Sequence, residues 1–152
     1  MSTRAVYTFR DGQEEFHVYK HFDGYPSGAV EFIEEAKKHA WTLPRFEADE
    51  FAAAFVSANK SINSPGNSCV VSGGNIRLMR SGNWRDVSPA DIEFRYEITH
   101  MPEDKDVTVF AYSVSCPYDE RNPSVTKFSE SLIFHGTLGK MKTWTQKMEK
   151  KG

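Results

Sequence analysis

Between residues 5 and 20 the chain reads AVYTFRDGQEEFHVYK, apolar and polar positions alternating on either side of Asp11-Gly12. Asp-Gly is a strong two-residue turn signal because a type I′ turn has positive φ at both central positions, so the pattern predicts a β-hairpin. Folding on that turn pairs Tyr7 with Phe16 and Ala5 with Val18, on one face with Phe9. The other face then carries Val6, Thr8, His17, Tyr19 and His21.

The period changes after residue 27. In SGAVEFIEEAKKHAW, Val30, Ile33, Lys37 and Ala40 recur at helical spacing, Ser27 or Gly28 serves as cap, and Glu34 faces Lys38 one turn on. Pro44 ends this helix, and FEADEFAAAFVSANK predicts a second. Its Phe51 and Phe55 form one side and its Ala48, Ala52 and Ala53 a small-residue side. Small residues permit close helix contact, within the monomer or across a homodimer. After the loop SINSPGNS the chain turns to strands. SCVVSGGNIRLMR bends at Gly73-Gly74, with Ile76 and Leu78 facing one way and Asn75, Arg77 and Met79 the other. DIEFRYEITH alternates most cleanly, with Ile92, Phe94, Tyr96 and Ile98 inward and Glu93, Arg95 and Glu97 outward. DVTVFAYSVS and VTKFSESLIFHG read as further strands, and KMKTWTQKMEKKG as a basic tail, helical or frayed.

The order ββ, αα, then four or more strands argues for an α+β fold: an antiparallel sheet with an N-terminal hairpin and two central helices packed on one face. An antiparallel sheet can leave its other face wet, and Arg77 and Arg95 are placed there on adjacent strands. At 152 residues the chain is expected to form one domain. The start Met-Ser-Thr-Arg has no apolar signal region and the cysteines are only two, Cys69 and Cys116, so a cytoplasmic protein with reduced thiols is expected. No apolar run is long enough for a membrane span. The net charge of −2 argues against a generic binder of duplex nucleic acid, yet leaves room for a small anion held by two or three local arginines.

Catalytic and metal motifs are sparse. His17 and His21 are four apart, which on a strand separates the rings by roughly 13 Å, beyond the reach of one metal. His39, His100 and His135 are scattered without ligand spacing. Ser27, Cys69 and Cys116 lack a nucleophile-elbow context, and Ser72 before Gly73-Gly74 is a weak one. GYPSG and SGGN lack the Gly-Lys-Ser/Thr end of a phosphate loop, and no dinucleotide-binding Gly pattern follows a strand. No cofactor is called for.

What remains is the stretch YKHFDGYPSG at residues 19–28. As structure, Asp23 closes an Asx-turn, Gly24 supplies positive φ, Tyr25 packs its ring, and Pro26 sets the helix start. As a site, the same loop sits where unpaired helical N–H groups favour an anion, with His21 and Tyr25 adding a hydrogen bond and a flat ring. Arg77 and Arg95 are ordinary cross-strand partners of Glu93 and Glu97, or, if they converge, two forks for phosphate.

VYKHFDGYPSG resembles a Tyr-x-His-x-Asp-Gly-Tyr-Pro motif of small phage and prophage proteins. GGNIRL and DIEFRYEI are similar to the same group's pattern, and the resemblance spans roughly residues 5 to 98. In size and in its mixture of helices and antiparallel sheet the chain also resembles the anti-Thoeris sponges. That resemblance implies a phage-type anti-defence protein that sequesters a small cyclic nucleotide or ADP-ribose-derived signal without cleaving it, working as a homodimer or higher homo-oligomer. No ligand contact is carried over from that family. From the residues, the expected ligand set is His21, Asp23, Tyr25, Asn75, Arg77 and Arg95. Two alternatives stay open: a protein–protein inhibitor or adaptor of host defence, and a small hydrolase using His21 and Asp23.

Overall fold

A computed structural model describes residues 3–60, 76–89, 91–116 and 128–151. The elements are β1 (Ala5–Arg10), β2 (Glu15–Lys20), α1 (Pro26–His39), α2 (Ala48–Lys60), β3 (Ile76–Leu78), the single turn α3 (Trp84–Val87), β4 (Phe94–Thr99), β5 (Thr108–Ser115), β6 (Ser129–Thr137) and α4 (Leu138–Lys151). The strands form one six-stranded sheet in the order β3-β2-β1-β4-β5-β6. The architecture is α+β as expected, and the sheet is mostly antiparallel. One pair departs from that pattern: β1 runs parallel to β4, with Tyr7 opposite Tyr96.

The hairpin forms with its predicted faces but in a register shifted by two. Tyr7 pairs with Val18, Ala5 with Lys20, and Phe9 with Phe16. Asp11 is the cause. One carboxylate oxygen accepts the N–H groups of Gln13 and Glu14, both at 2.8 Å, and the Asp11 N–H donates to the Glu14 carbonyl. The loop therefore spans residues 11–14, and Gly12 does not take the positive φ of a type I′ turn. A shift of two preserves the inside–outside alternation, so each side chain keeps its face. The second Asp11 oxygen accepts the Ala48 N–H, tying the hairpin loop to the start of α2.

The inner face, with Ala5, Tyr7, Phe9, Val18, Tyr96, Ile98 and Val109, lies under α1 and α2. Phe55 of α2 is the hub, its ring 4.6 Å from that of Tyr7 and 5.2 Å from that of Phe9. Burying a side chain of that size contributes about 1.5–3 kcal/mol. α1 buries Ala29, Val30, Phe32, Ile33 and Ala36, while Lys37 points to the margin and pairs with Asp106 at 2.7 Å. Lys38 pairs with Glu35, and Glu34 pairs with Lys142 of α4, in place of the expected Glu34–Lys38 pair. Ala48, Ala52, Ala54 and Ala58 are buried within the monomer and Ala53 is exposed, so the small-residue side of α2 serves internal packing. The basic tail is helical: α4 sends Leu138 and Met141 into the core and stacks Trp144 on Phe134.

The outer face is not simply wet. Val6, Tyr19, Trp84, Ile92, Val114 and Phe128 form a second apolar cluster there, so Ile92 belongs to this layer and not to the inner one. The Asn83 side chain caps α3 by accepting the Arg85 N–H, and α3 carries Trp84 into this cluster. Among the described residues no helix is long and apolar enough to cross a membrane.

Candidate functional site

The loop at residues 21–25 joins β2 to α1 and is held by close backbone packing. The positive φ sits at Asp23 (58°), not at Gly24. Gly24 is needed for another reason: its N–H donates to the Thr3 carbonyl, and a Cβ there would stand 2.6 Å from the Ala5 Cβ. The Tyr96 hydroxyl donates to the Gly24 carbonyl at 2.6 Å from within the core. The helix begins with Tyr25 at the N-cap and Pro26 in its first turn, without a side-chain cap, so neither Ser27 nor Gly28 plays that part. A side chain at Gly28 would collide with the Asp23 carbonyl. Both glycines are thus fixed by steric fit.

The loop divides its polar side chains between two surfaces. His21 faces outward. Its Nδ1 accepts from Arg4 Nε at 3.3 Å and lies 2.7 Å from the Tyr19 hydroxyl. Because an arginine only donates, Nδ1 is an acceptor and the imidazole proton belongs on Nε2. The Arg77 guanidinium lies over the Tyr19 ring, 5.1 Å from its centroid, and Arg4 pairs with Asp91 at 3.2 Å. Burial and the Asp91 carboxylate push the Tyr19 phenol up, while Arg4 and Arg77 pull against them. Both guanidiniums therefore lie within electrostatic reach of one phenol. Arg4, Tyr19, His21 and Arg77 form a cluster at the β2–β3 edge of the outer face.

Asp23 and Tyr25 face elsewhere. They line one end of a cleft of about 730 Å³ between α1 and α4. Its walls carry Asp23, Glu31, Glu34, Glu35 and Glu149 against Lys38 and Lys142, and both lysines pair with wall glutamates. Such a wall repels an anion, so the start of α1 does not present the phosphate pocket its sequence suggested. His21 and Asp23 also part company here, since one faces the sheet's outer side and the other the cleft.

Arg95 is placed differently from expectation. It is 2% exposed. Its Nη1 bonds Glu97 at 2.8 Å, and Nε and Nη2 both bond Glu130, at 3.1 and 3.0 Å. The guanidinium lies between the rings of Trp84 and Tyr112, 4.4 and 4.7 Å away. Two strands, β2 and β1, separate β3 from β4, which puts Arg77 roughly 14 Å away across the sheet. The two arginines do not converge, and Arg95 already has two carboxylates. Asn75 lies outside the described residues.

Arg4 and Tyr19 went unrecognised in the sequence. The signal was present in the hairpin: the true register, Ala5 opposite Lys20, sets Arg4 opposite His21, whereas the predicted one sets it opposite Tyr19. Among the described residues no group of three His, Cys, Asp or Glu side chains is placed to hold a metal ion. Comparison with known protein families, curated proteins and solved structures finds no match to this chain.

Proposed function

We propose that the protein is a non-enzymatic binder that sequesters a small anionic, cyclic-nucleotide or ADP-ribose-derived signal in the cytoplasm, as an anti-defence protein of phage type. The observation that supports this reading is the gathering of Arg4, Arg77 and the His21 imidazole around Tyr19 at the β3 end of the described sheet, with Asp91 as the carboxylate beside it. Two guanidinium forks suit a phosphate, and the Nε2–H of His21 adds a donor. Asn75, immediately ahead of β3, is proposed to read a base or sugar edge. Tight binding lowers the free signal by mass action, with no bond broken. A homodimer or higher homo-oligomer is part of this reading.

Native mass spectrometry with a panel of cyclic dinucleotides, cyclic trinucleotides and ADP-ribose cyclisation products tests it. The expected result is an intact adduct at fixed stoichiometry that is lost in Arg77→Ala and weakened in Arg4→Ala. A cleaved product would indicate an enzyme instead. Failure to bind any member of the panel favours the protein–protein reading. That alternative has its own support in β6, the last strand of the sheet, where Leu132 is 55% exposed and the strand's outer edge has no partner strand among the described residues.

A further inference from the structure

The helical side of the molecule carries its charges sorted by helix. α1 and α4 run antiparallel there: Glu34 of α1 pairs with Lys142 in the first turns of α4 at 3.5 Å, whereas Glu149, late in α4, acts on Tyr25 at the start of α1. The crest of α1 is acidic, with Glu31 exposed and Glu34 and Glu35 half-exposed beside it. The crest of α4 is basic, with Lys140 and Lys147 two turns apart and both exposed. Glu31, Lys140 and Lys147 enter no ion pair among the described residues, although the neighbouring helix bears the opposite charge. A surface with acid on one helix and base on the next is its own complement under a two-fold rotation that lays each helix over the other.

We propose that this face is where two copies of the chain meet, α4 of each lying along α1 of the other about a two-fold axis that follows the cleft. Rotation about an axis parallel to the helices leaves heights along them unchanged, so the Glu34–Lys142 pair sets the register between copies as it does within one. At about 1.5 Å per residue, Lys147 lies about 7.5 Å from that level and Glu31 about 4.5 Å, on the same side. Lys140 and Glu35 lie about 3 and 1.5 Å to the other side. Lys147 of one copy thus comes level with Glu31 of the other to within about 3 Å, and Lys140 with Glu35 to within about 1.5 Å. Glu149 comes level with Ser27 in the first turn of α1, where a carboxylate is favoured. Both helices have 14 residues, so the face measures roughly 20 by 20 Å, at the small end for a specific interface. The two clefts face one another across the axis and the crests carry the contact, which makes the dimer weak and salt-sensitive. A polyanion or an anionic membrane would meet the α1 glutamates along with the lysines, whereas a second copy matches both. The interface rests on the homo-oligomer part of the reading above and not on its ligand, since the Arg4–Arg77 cluster lies on the opposite side of the sheet.

The test is sedimentation velocity on the full chain without nucleotide, over a concentration series at about 0.1 and about 1 M salt. A monomer–dimer equilibrium is expected at low salt, with the dissociation constant at least about tenfold higher at high salt. Lys147→Glu and Glu31→Lys are surface changes expected to keep the native melting temperature. Each should weaken self-association at least about tenfold, because the symmetry alters two contacts at once. An equimolar mixture of the two variants should recover the dimer, since the reversed α4 of one then meets the reversed α1 of the other. A native chain that stays monomeric up to about 1 mM at low salt overturns the proposal. So does a dimer that both reversals leave intact, which places the two-fold contact elsewhere, or a mixture of folded variants that stays dissociated. Nucleotide affinity read on the same samples should fall with Arg77→Ala and not with these reversals, so loss of the interface and loss of the ligand site are told apart.

Discussion

Arg95 and Arg77 project from the same outer face of one sheet, Arg95 from the interior strand β4 and Arg77 from the edge strand β3. Around Arg95, two carboxylates and two aromatic rings close the shell, and a threonine hydroxyl takes a further contact. Arg77 is exposed, lies over one ring, and shares its surroundings with a second guanidinium. The contrast separates structure from site. A charge already neutralised inside the fold holds elements together, whereas positive charge that is in local excess among the described residues at the sheet's edge has capacity left for a ligand.

The strongest challenge to this contrast is Arg95→Leu. It leaves Glu130 and Glu97 facing a buried gap, although Arg85 and Arg10 still reach them. The expected loss of stability is about 3 kcal/mol, at the lower end for breaking a buried pair. Urea denaturation reads it, and a loss below about 1 kcal/mol would place Arg95 among surface residues. Arg77→Ala should do the opposite. Stability is expected to stay within about 0.5 kcal/mol, while calorimetric affinity for a captured nucleotide falls by about tenfold to a hundredfold. If the variant binds unchanged, the edge cluster is not the site.

Salt sharpens the same distinction at smaller amplitude. Raising ionic strength from about 0.1 to about 1 M shortens the screening length from roughly 10 to 3 Å. Ligand affinity should fall severalfold, while the effect of Arg95→Leu on stability should hardly change, because its partners are in direct contact and shielded from solvent. The smallest effect concerns protons. His17 accepts from the Thr8 hydroxyl and donates to the Gly82 carbonyl, and burial, aided by the Arg95 cation, holds its imidazole below the ordinary value against the pull of Glu15 and Glu97. With a folded value below the unfolded one near 6.5, the unfolded chain binds more protons in the window between them. Stability should therefore decline as pH falls from about 6.5, by at most about 1.4 kcal/mol per unit. Thermal melts of the native protein and His17→Gln across pH 5 to 8 check this, and equal slopes would remove His17 as the cause.

What could be read from the chain alone was local. Alternation placed Tyr7 and Phe9 on one face and Thr8, His17 and Tyr19 on the other, and helical spacing located both central helices. The register escaped because Asp11 hydrogen-bonds its own loop in preference to the turn that Asp-Gly advertises. The β1–β4 pairing escaped because nothing within either strand names a partner some ninety residues away. Once that hairpin is inserted between β3 and β4, the expected neighbours Arg77 and Arg95 are parted. Arg95 was placed in solvent because alternation reports a face and not what covers it, and its cover comes from Trp84 and from Glu130 on β6. Of the candidate site, Arg77 and His21 were visible as residue types. Arg4 and Tyr19 needed the correct register.

β1 lies at the middle of the sheet, between β2 and β4, although it is the first strand to be made. Its partner on one side follows within a few residues, but the other begins only at Phe94. At about 5–20 residues per second, a ribosome takes roughly 4 to 17 s to synthesise the stretch between Arg10 and Phe94. For that interval the hairpin and its two helices hold a hydrophobic half-layer with an open hydrogen-bonding edge. Nascent chains stalled before Phe94 should therefore recruit chaperones and pair with one another, and those carried past β4 should not. The seam between β1 and β4 is thus the step that turns a sticky intermediate into a finished protein.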